Sequence, residues 1–286
     1  MLGAPLGAEE IKATRRNLGV DENASFYIDP KATEYFAAAR SGRTAVYESW
    51  QKVFAAWAAA NPGLKREWDA WMAPAPDLSA VKWPQYKVGD ADATRNASGK
   101  AIKAIAAACG NLVGGSADLE PSNKTGMDYG DYQKGNRAGR TLRFGVREHG
   151  MGGVANGIAL HGGLKVFCAT FLVFADYMRP PIRLASLMKL PVTYVFTHDS
   201  IYVGEDGPTH QPVEHLASLR IIPGMTVLRP GDPEETNESW RLAMEKTDGP
   251  VALALTRQNL AVYEKADANW KETFKKGAYI VRDVDG

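Results

Sequence analysis

The chain is poor in the residues that would mark a secreted, metal-held or membrane-embedded protein. Of its 286 residues only two are cysteine, Cys109 and Cys168. Both fall in apolar surroundings without metal-ligand spacing. That excludes a disulfide scaffold and a cysteine zinc cluster, and fits reduced core residues of a cytosolic protein. No apolar run reaches the ~20 residues that cross a bilayer, so no membrane partner is expected. The start, Met1 to Gly7, lacks the charged onset and apolar core of a signal peptide, and the expected location is cytoplasmic. An excess of either charge is also missing: 34 Lys and Arg face 33 Asp and Glu, a net charge of +1. Basic residues are scattered and not interleaved with aromatics, so nucleic acid is not an expected partner. Internal repeats and low-complexity tracts are absent.

What is present divides into two patterns. The front third reads as helical. A helix is expected from about Ala8 to Leu18, stopped by Gly19. A second runs from Arg43 to Ala60, where Val46, Trp50, Val53, Phe54 and Trp57 share one face, and Asn61-Pro62-Gly63 ends it. A third, short one carries Trp68, Trp71 and Met72. Pro74 to Gly89 is proline-rich and aperiodic and reads as a linker, so the expected division is residues 1–84 and 85–286. Beyond it, short apolar strands alternate with helices. Strands are expected at Asn111–Val113, Thr141–Phe144, Lys165–Ala169, Val192–Thr197, Thr226–Arg229 and Val251–Leu255. Helices are expected at Ser98–Cys109, Arg147–Leu160, Phe174–Met188, Val213–Leu219 and Pro233–Lys246. This alternation predicts an α/β fold, a doubly wound parallel sheet covered on both faces.

The stretch from Arg143 to Gly163 organises this second pattern. A strand, a turn at Gly145 and a glycine-rich helix follow one another, and Arg147-Glu148-His149 opens the helix. Glycine costs about 1 kcal/mol against alanine in a helix, so several together need a reason. Close approach of another backbone or of a flat ligand is one. A tightly packed core helix, with Glu148 complementing its dipole, is the plainer one. In a doubly wound sheet the carboxyl ends of the strands share one crevice. Ser116, Asp118, Ser122 and Asn123 follow the first strand, Glu148 the second, and Thr170 to Phe174 the third. His198 to Gln211 follows the fourth and Arg257 to Asn259 the last. The loop 198–211 holds His198 and His210 with Glu205 and Asp206 between them, a set suited to proton transfer near neutral pH. A zinc site there lacks a helical histidine pair or a cysteine, and a solvated loop with capping residues is the plain alternative. Phe171, Phe174 and Tyr177 have core-packing spacing, yet beside a lone carboxylate they also suit a flat nitrogen heterocycle. Arg95, Ser122, His198 and Arg257 together suit a phosphate.

These residues carry a resemblance. Gly3-Ala-Pro-Leu-Gly7, Ala93-Thr-Arg95, Gly114-Gly-Ser-Ala-Asp-Leu119 with Pro121-Ser-Asn123, Arg147-Glu-His149, Thr170-Phe-Leu172, Thr197-His-Asp-Ser200 with Gly204 to Pro212, and Arg257-Gln-Asn259 occur in order. The chain resembles the transketolases, thiamine-diphosphate enzymes, over essentially its whole length. The resemblance implies transfer of a two-carbon ketol unit from a ketose phosphate to an aldose phosphate. It assigns Glu148 to N1′ of the cofactor's aminopyrimidine, a role that needs a desolvated, protonated carboxyl. Phe171, Phe174 and Tyr177 would wall the pyrimidine, and Asp118 would lie near the cofactor. His210 would assist proton transfer at the donor carbonyl, and Asp206 would recognise a substrate hydroxyl. Arg95, Ser122, His198 and Arg257 would hold the sugar phosphate.

The departures from the family pattern are as informative. No Gly-Asp-Gly motif occurs, so no metal ligand is expected in this chain; Mg2+ ligands are expected on a diphosphate-binding domain elsewhere. Leu2 stands where family members carry a histidine. Residues 1–84 resemble the end of the diphosphate-binding domain plus a linker, and 85–286 the pyrimidine-binding domain running into a further linker. The resemblance implies a dimeric assembly and a partner chain carrying the diphosphate-binding domain, with sugar phosphates as substrates. A truncated, inactive pyrimidine-binding module is the alternative. Related thiamine-diphosphate enzymes, a formaldehyde-using transketolase or a deoxyxylulose-phosphate synthase, share parts of the pattern.

Overall fold

The protein was analysed as a computed structural model, which describes residues 5–282. Gly3 and Ala4 of the first motif, and Leu2 before it, lie outside the described residues. The chain forms two compact units that divide between Lys65 and Arg66.

The first unit is helical. Helix α1 (Ala8–Asn17) places Glu9 and Glu10 in its first turn and Arg15 and Arg16 in its last, complementing the helix dipole at both ends. Helix α2 (Pro30–Ala60) begins well before Arg43. The reason is local: Asp29 accepts a hydrogen bond from the Lys31 N–H at 2.8 Å, and Pro30 takes the first helical position. Apolar periodicity starts only later, so that signal alone misplaces the start. Along α2, Tyr47, Trp50, Phe54 and Trp57 stack in series, with successive ring centroids 6.4, 5.3 and 5.6 Å apart. Helix α3 (Pro62–Met72) contains the unit boundary.

In the second unit, residues 74–89 form no helix or strand, yet Leu78 and Val81 are buried in the core. The elements then follow in order: β1 (Ala91–Ala93), α4 (Thr94–Ala108), β2 (Leu112–Ser116), α5 (Glu120–Asn123), β3 (Thr141–Arg143), α6 (Glu148–His161) and β4 (Lys165–Phe171). A 3-10 segment, Leu172–Met178, leads into α7 (Arg179–Leu187) and β5 (Val192–Thr197). A 3-10 turn at Pro208–His210 precedes α8 (His215–Arg220), β6 (Thr226–Leu228), α9 (Pro233–Glu245), β7 (Val251–Leu255), β8 (Asn259–Ala261) and α10 (Trp270–Phe274). Six strands make one parallel sheet in the order β3-β2-β4-β5-β7-β6, while β1 and β8 form a separate antiparallel pair.

Strand residues alternate between two cores because successive side chains point to opposite faces. Val166, Cys168, Tyr194 and Phe196 pack with α6, α7 and α8 through Met151, Ala155, Ile182, Ala185 and Leu219. Phe167, Ala169, Val195 and Leu253 face the other way, onto α4 and α9 through Ile102, Ile105, Trp240 and Ala243. Trp240 anchors that second layer. Its indole N–H donates to Ser98 Oγ at 2.8 Å and its ring meets Phe167 edge-on. Both faces are therefore covered, and the doubly wound sheet is observed. Cys109 and Cys168 are free and buried. No helix among the described residues is long and apolar enough to cross a membrane.

Two local differences have clear causes. The expected helix from Phe174 starts as a 3-10 segment, and α-helical geometry begins at Arg179. Pro180 and Pro181 have no N–H to donate, so they are tolerated only in a first turn. The glycines of α6 divide into two sets. A Cβ on Gly152 would lie 2.8 Å from Pro181 Cγ, so this glycine admits α7. Gly153 and Gly157 have nothing within 4 Å and lie open on the helix surface.

Candidate active site

Because all six strands of the main sheet are parallel, every strand's carboxyl end lies at one rim. The turn after β5 sets the most crowded part. His198 takes a left-handed conformation (φ 57°) and is 3% exposed. Its Nδ1 is 2.9 Å from Thr197 Oγ1, and its Nε2 faces Arg95 Nη1 at 3.4 Å. Arg95, at the start of α4, also donates from Nη1 to the Ser122 carbonyl at 3.1 Å. Ser122 thus meets Arg95 through its backbone. The Arg95 Nε is buried without a partner.

Arg257 follows β7 and lies under the loop 198–211 at Gly204. Gly204 has φ +89°, and a Cβ there would come 2.9 Å from the guanidinium carbon. The positive φ is what favours glycine here, and the loop passes close over the arginine as a result. Burial, and then the charge of Arg257, lower the pKa of Arg95. Two guanidinium groups, one of them with an unpartnered buried N–H, thus gather beside a histidine. That is an arrangement for binding an anion.

Burial pushes His198 down to about 4, helped by Arg95, Arg257 and His210 and opposed by Asp206. The imidazole is therefore neutral in the folded protein at neutral pH. An unfolded histidine binds its proton near pH 6.5. Between that pH and about 4 the unfolded chain holds more protons at this residue, so acid erodes stability across that window. The variant His198→Gln should lose less stability than the wild type on moving from pH 7 to pH 4.5 in urea unfolding. Equal losses would show that His198 is not held neutral.

The aromatic residues lie beside this anion space. Phe171, at the end of β4, has its ring centroid 3.7 Å from that of His198. Phe174 stacks on Phe171 at 5.9 Å and Tyr177 on Phe174 at 6.1 Å, forming a staircase that ends in an exposed Tyr177. His210 meets Phe174 and Phe171 edge-on at 5.3 and 6.2 Å. Its Nδ1 is 2.8 Å from Thr209 Oγ1. Glu148 is the first residue of α6 and is 9% exposed. Its carboxylate makes no hydrogen bond or ion pair among the described residues. A nearly buried carboxyl without a partner fits a role that awaits a nitrogen base. Asp118 (φ 61°) is exposed on the turn after β2, beside a small cleft lined by Arg143 and Gly145. Asp206 is exposed in the loop and acts electrostatically on His198.

Two further groups support the rim. Asn123 is fully buried and bridges Ser116 Oγ at 3.2 Å and Thr197 Oγ1 at 3.3 Å, fastening the turn after β2 to β5. Asp199 is buried against Arg229 at 2.7 Å and holds the root of the histidine loop. Asn123 is among the rim residues expected from the sequence, whereas Asp199 directly follows His198, which is the signal that would have found it.

A doubly wound parallel sheet with its polar side chains gathered at the carboxyl rim is a ligand-binding domain of the open α/β class. The chain belongs to the transketolase family: the model "Transketolase, pyrimidine binding domain" matches residues 90–262 and "Transketolase, thiamine diphosphate binding domain" matches residues 1–75. Transketolase from Geobacillus stearothermophilus is 49% identical over 98% of this chain and 42% of its own length. The Treponema pallidum transketolase is 45% identical over 98% of this chain and 43% of its own. Among solved structures, transketolase from Leishmania mexicana superposes with a TM-score of 0.88 at 38% identity, covering 99% of this chain and 42% of that one. A Pichia stipitis transketolase in complex with sedoheptulose 7-phosphate also gives 0.88, at 37% identity, with 99% and 43% covered. The chain spans less than half the length of these relatives.

Proposed function

We propose that this chain forms the pyrimidine-binding side of a transketolase active site, acting in transfer of a two-carbon ketol unit from a ketose phosphate to an aldose phosphate. The observation that carries the reading is Glu148, nearly buried and unpartnered at the rim that also holds the Arg95–Arg257 anion site. The relatives' names and the matched family model support it. Thiamine diphosphate, when bound, supplies the carbanion chemistry. Glu148 holds a proton at the pyrimidine N1′, and Phe171, Phe174 and Tyr177 flank that ring while Asp118 lies near it. His210 moves a proton at the donor carbonyl oxygen, and Asp206 accepts a hydrogen bond from a substrate hydroxyl. Arg95, Arg257, Ser122 and His198 bind the phosphate.

Residues 1–84 are assigned to the end of the diphosphate-binding domain and its linker, and 85–286 to the pyrimidine-binding domain. Mg2+ and its ligands belong to a diphosphate-binding domain on a partner chain. A dimeric assembly is supported by the outer face of α6, where Gly153, Val154, Gly157 and Leu160 are exposed and a second helix can approach closely. The work is assigned to the cytoplasm, in pentose phosphate metabolism. The decisive assay adds a diphosphate-binding transketolase domain, thiamine diphosphate and Mg2+ to this chain. Turnover of xylulose 5-phosphate with an aldose phosphate, dependent on both chains, is the expected result. Saturating mixtures that form a complex but never turn over would leave an inactive pyrimidine-binding module as the reading.

A further inference from the structure

Away from the rim's anion site, a second cluster of ionisable groups joins the aromatic staircase to α8. Asp176 lies between Phe174 and Tyr177 on the 3-10 segment, and Glu214 and His215 open α8. One ligand atom from each of the three lies within 4.8 Å of the others. His215 is 4% exposed, whereas the side chains of Asp176 and Glu214 are 51% and 70% exposed. The imidazole is therefore fixed and the carboxylates are free to adjust.

The hydrogen bonding of His215 is incomplete in a way that favours a cation. Its Nε2 is 3.1 Å from Asp176 Oδ2, which only accepts, so Nε2 carries the proton. The other ring nitrogen, Nδ1, is buried with no partner and is the atom open to a ligand bond. It faces Glu214 Oε2 at 3.8 Å, another lone-pair donor, too far for a hydrogen bond. Two lone pairs at that separation suit ligands of one ion, since Zn–N and Zn–O bonds are each about 2.0–2.2 Å. The charge balance is also suitable. Arg179 Nε is 3.6 Å from Asp176 Oδ1, but its guanidinium is committed to Ser218, donating to the carbonyl at 2.8 Å and also to Oγ. Two carboxylates thus face one shared guanidinium and one imidazole.

We propose that His215 Nδ1 and Glu214 bind a divalent ion of the zinc class, with Asp176 orienting the imidazole from its far side and water completing the coordination. Histidine that ligates a metal usually donates its other N–H to a carboxylate, as here to Asp176. An imidazole nitrogen selects against Mg2+ and Ca2+, which take oxygen ligands. The ion fixes Glu214 and His215 at the start of α8, and the Asp176–His215 hydrogen bond ties that point to the aromatic staircase, so the site is a positioning device outside the anion site.

Titration of the metal-free chain with ZnCl2, followed by calorimetry, tests this. The wild type should bind one ion that Glu214→Gln and His215→Gln bind at least 10-fold more weakly. Asp176→Asn should weaken it by about 10–100-fold, as losses of orienting partners do. MgCl2 at equal concentration should give no binding to this site. Thermal unfolding without metal should leave Glu214→Gln unchanged, because that side chain is exposed, and zinc should raise the midpoint of the wild type alone. If the wild type binds no zinc, or if Glu214→Gln and His215→Gln bind it as the wild type does, the site does not exist.

Discussion

Exchange of Glu148 for alanine should lower ketol transfer by the assembled enzyme about 10²–10⁴-fold, the usual contribution of a placed general acid. The loss should fall on kcat, because in the proposed role the carboxyl would act on the cofactor ring and not on the sugar. Glu148→Gln should fail nearly as badly. The amide fills the same space but has no acidic proton to give to a ring nitrogen. Neither change should unfold the chain. Among the described residues the Glu148 carboxylate accepts no hydrogen bond and enters no ion pair, so its removal leaves no partner stranded. Steady-state rates together with thermal midpoints separate the two effects. A fully active alanine variant would remove the proton-holding role from this residue.

Arg95→Ala and Arg257→Ala should each raise KM for a phosphorylated ketose by roughly 10–100-fold, since a charge-assisted hydrogen bond contributes about 1.5–3 kcal/mol. The pattern across substrates is as informative as the size. An unphosphorylated ketose should lose little, because the proposed task of both guanidinium groups is to hold the phosphate. The double variant should cost less than the two single losses combined. Arg257 already disfavours the charge on Arg95, so removing one relieves the other. Removing Arg95 should also raise the pKa of His198, which NMR of the imidazole would record. Equal KM increases for phosphorylated and unphosphorylated ketoses would place the arginines elsewhere in function.

The sheet was legible because its inner strands, β2, β4, β5 and β7, are buried on both faces and therefore read as short runs poor in charge between helices. Its parallel sense follows from that alternation, and with it the prediction that polar residues after each strand share a rim. Arg95, Ser122, His198 and Arg257, spread widely along the chain, are gathered there. Where the reading was coarse, local chemistry competed with periodicity. The Asp29 cap carried α2 back beyond its apolar stretch, and the Pro180–Pro181 pair delayed α7. Strands β1 and β8 are three residues each and pair across the whole domain, so neither carries a local signal. The Asp176–His215 contact was invisible for a similar reason. Its partners are 39 residues apart and lie on separate helical segments, and no spacing rule links them.

Strand order also governs what a growing chain can do on the ribosome. β6 is made before β7 but lies outside it, paired to β7 alone, while β7 alone covers the far edge of β5. Until residues 251–255 have been synthesised, β5 displays a bare row of amide and carbonyl groups, and β6 has nowhere to dock. A nascent chain stalled in that interval exposes an adhesive edge, the state in which strands of different molecules join. The open edge of β5 therefore waits on that one five-residue strand to close it.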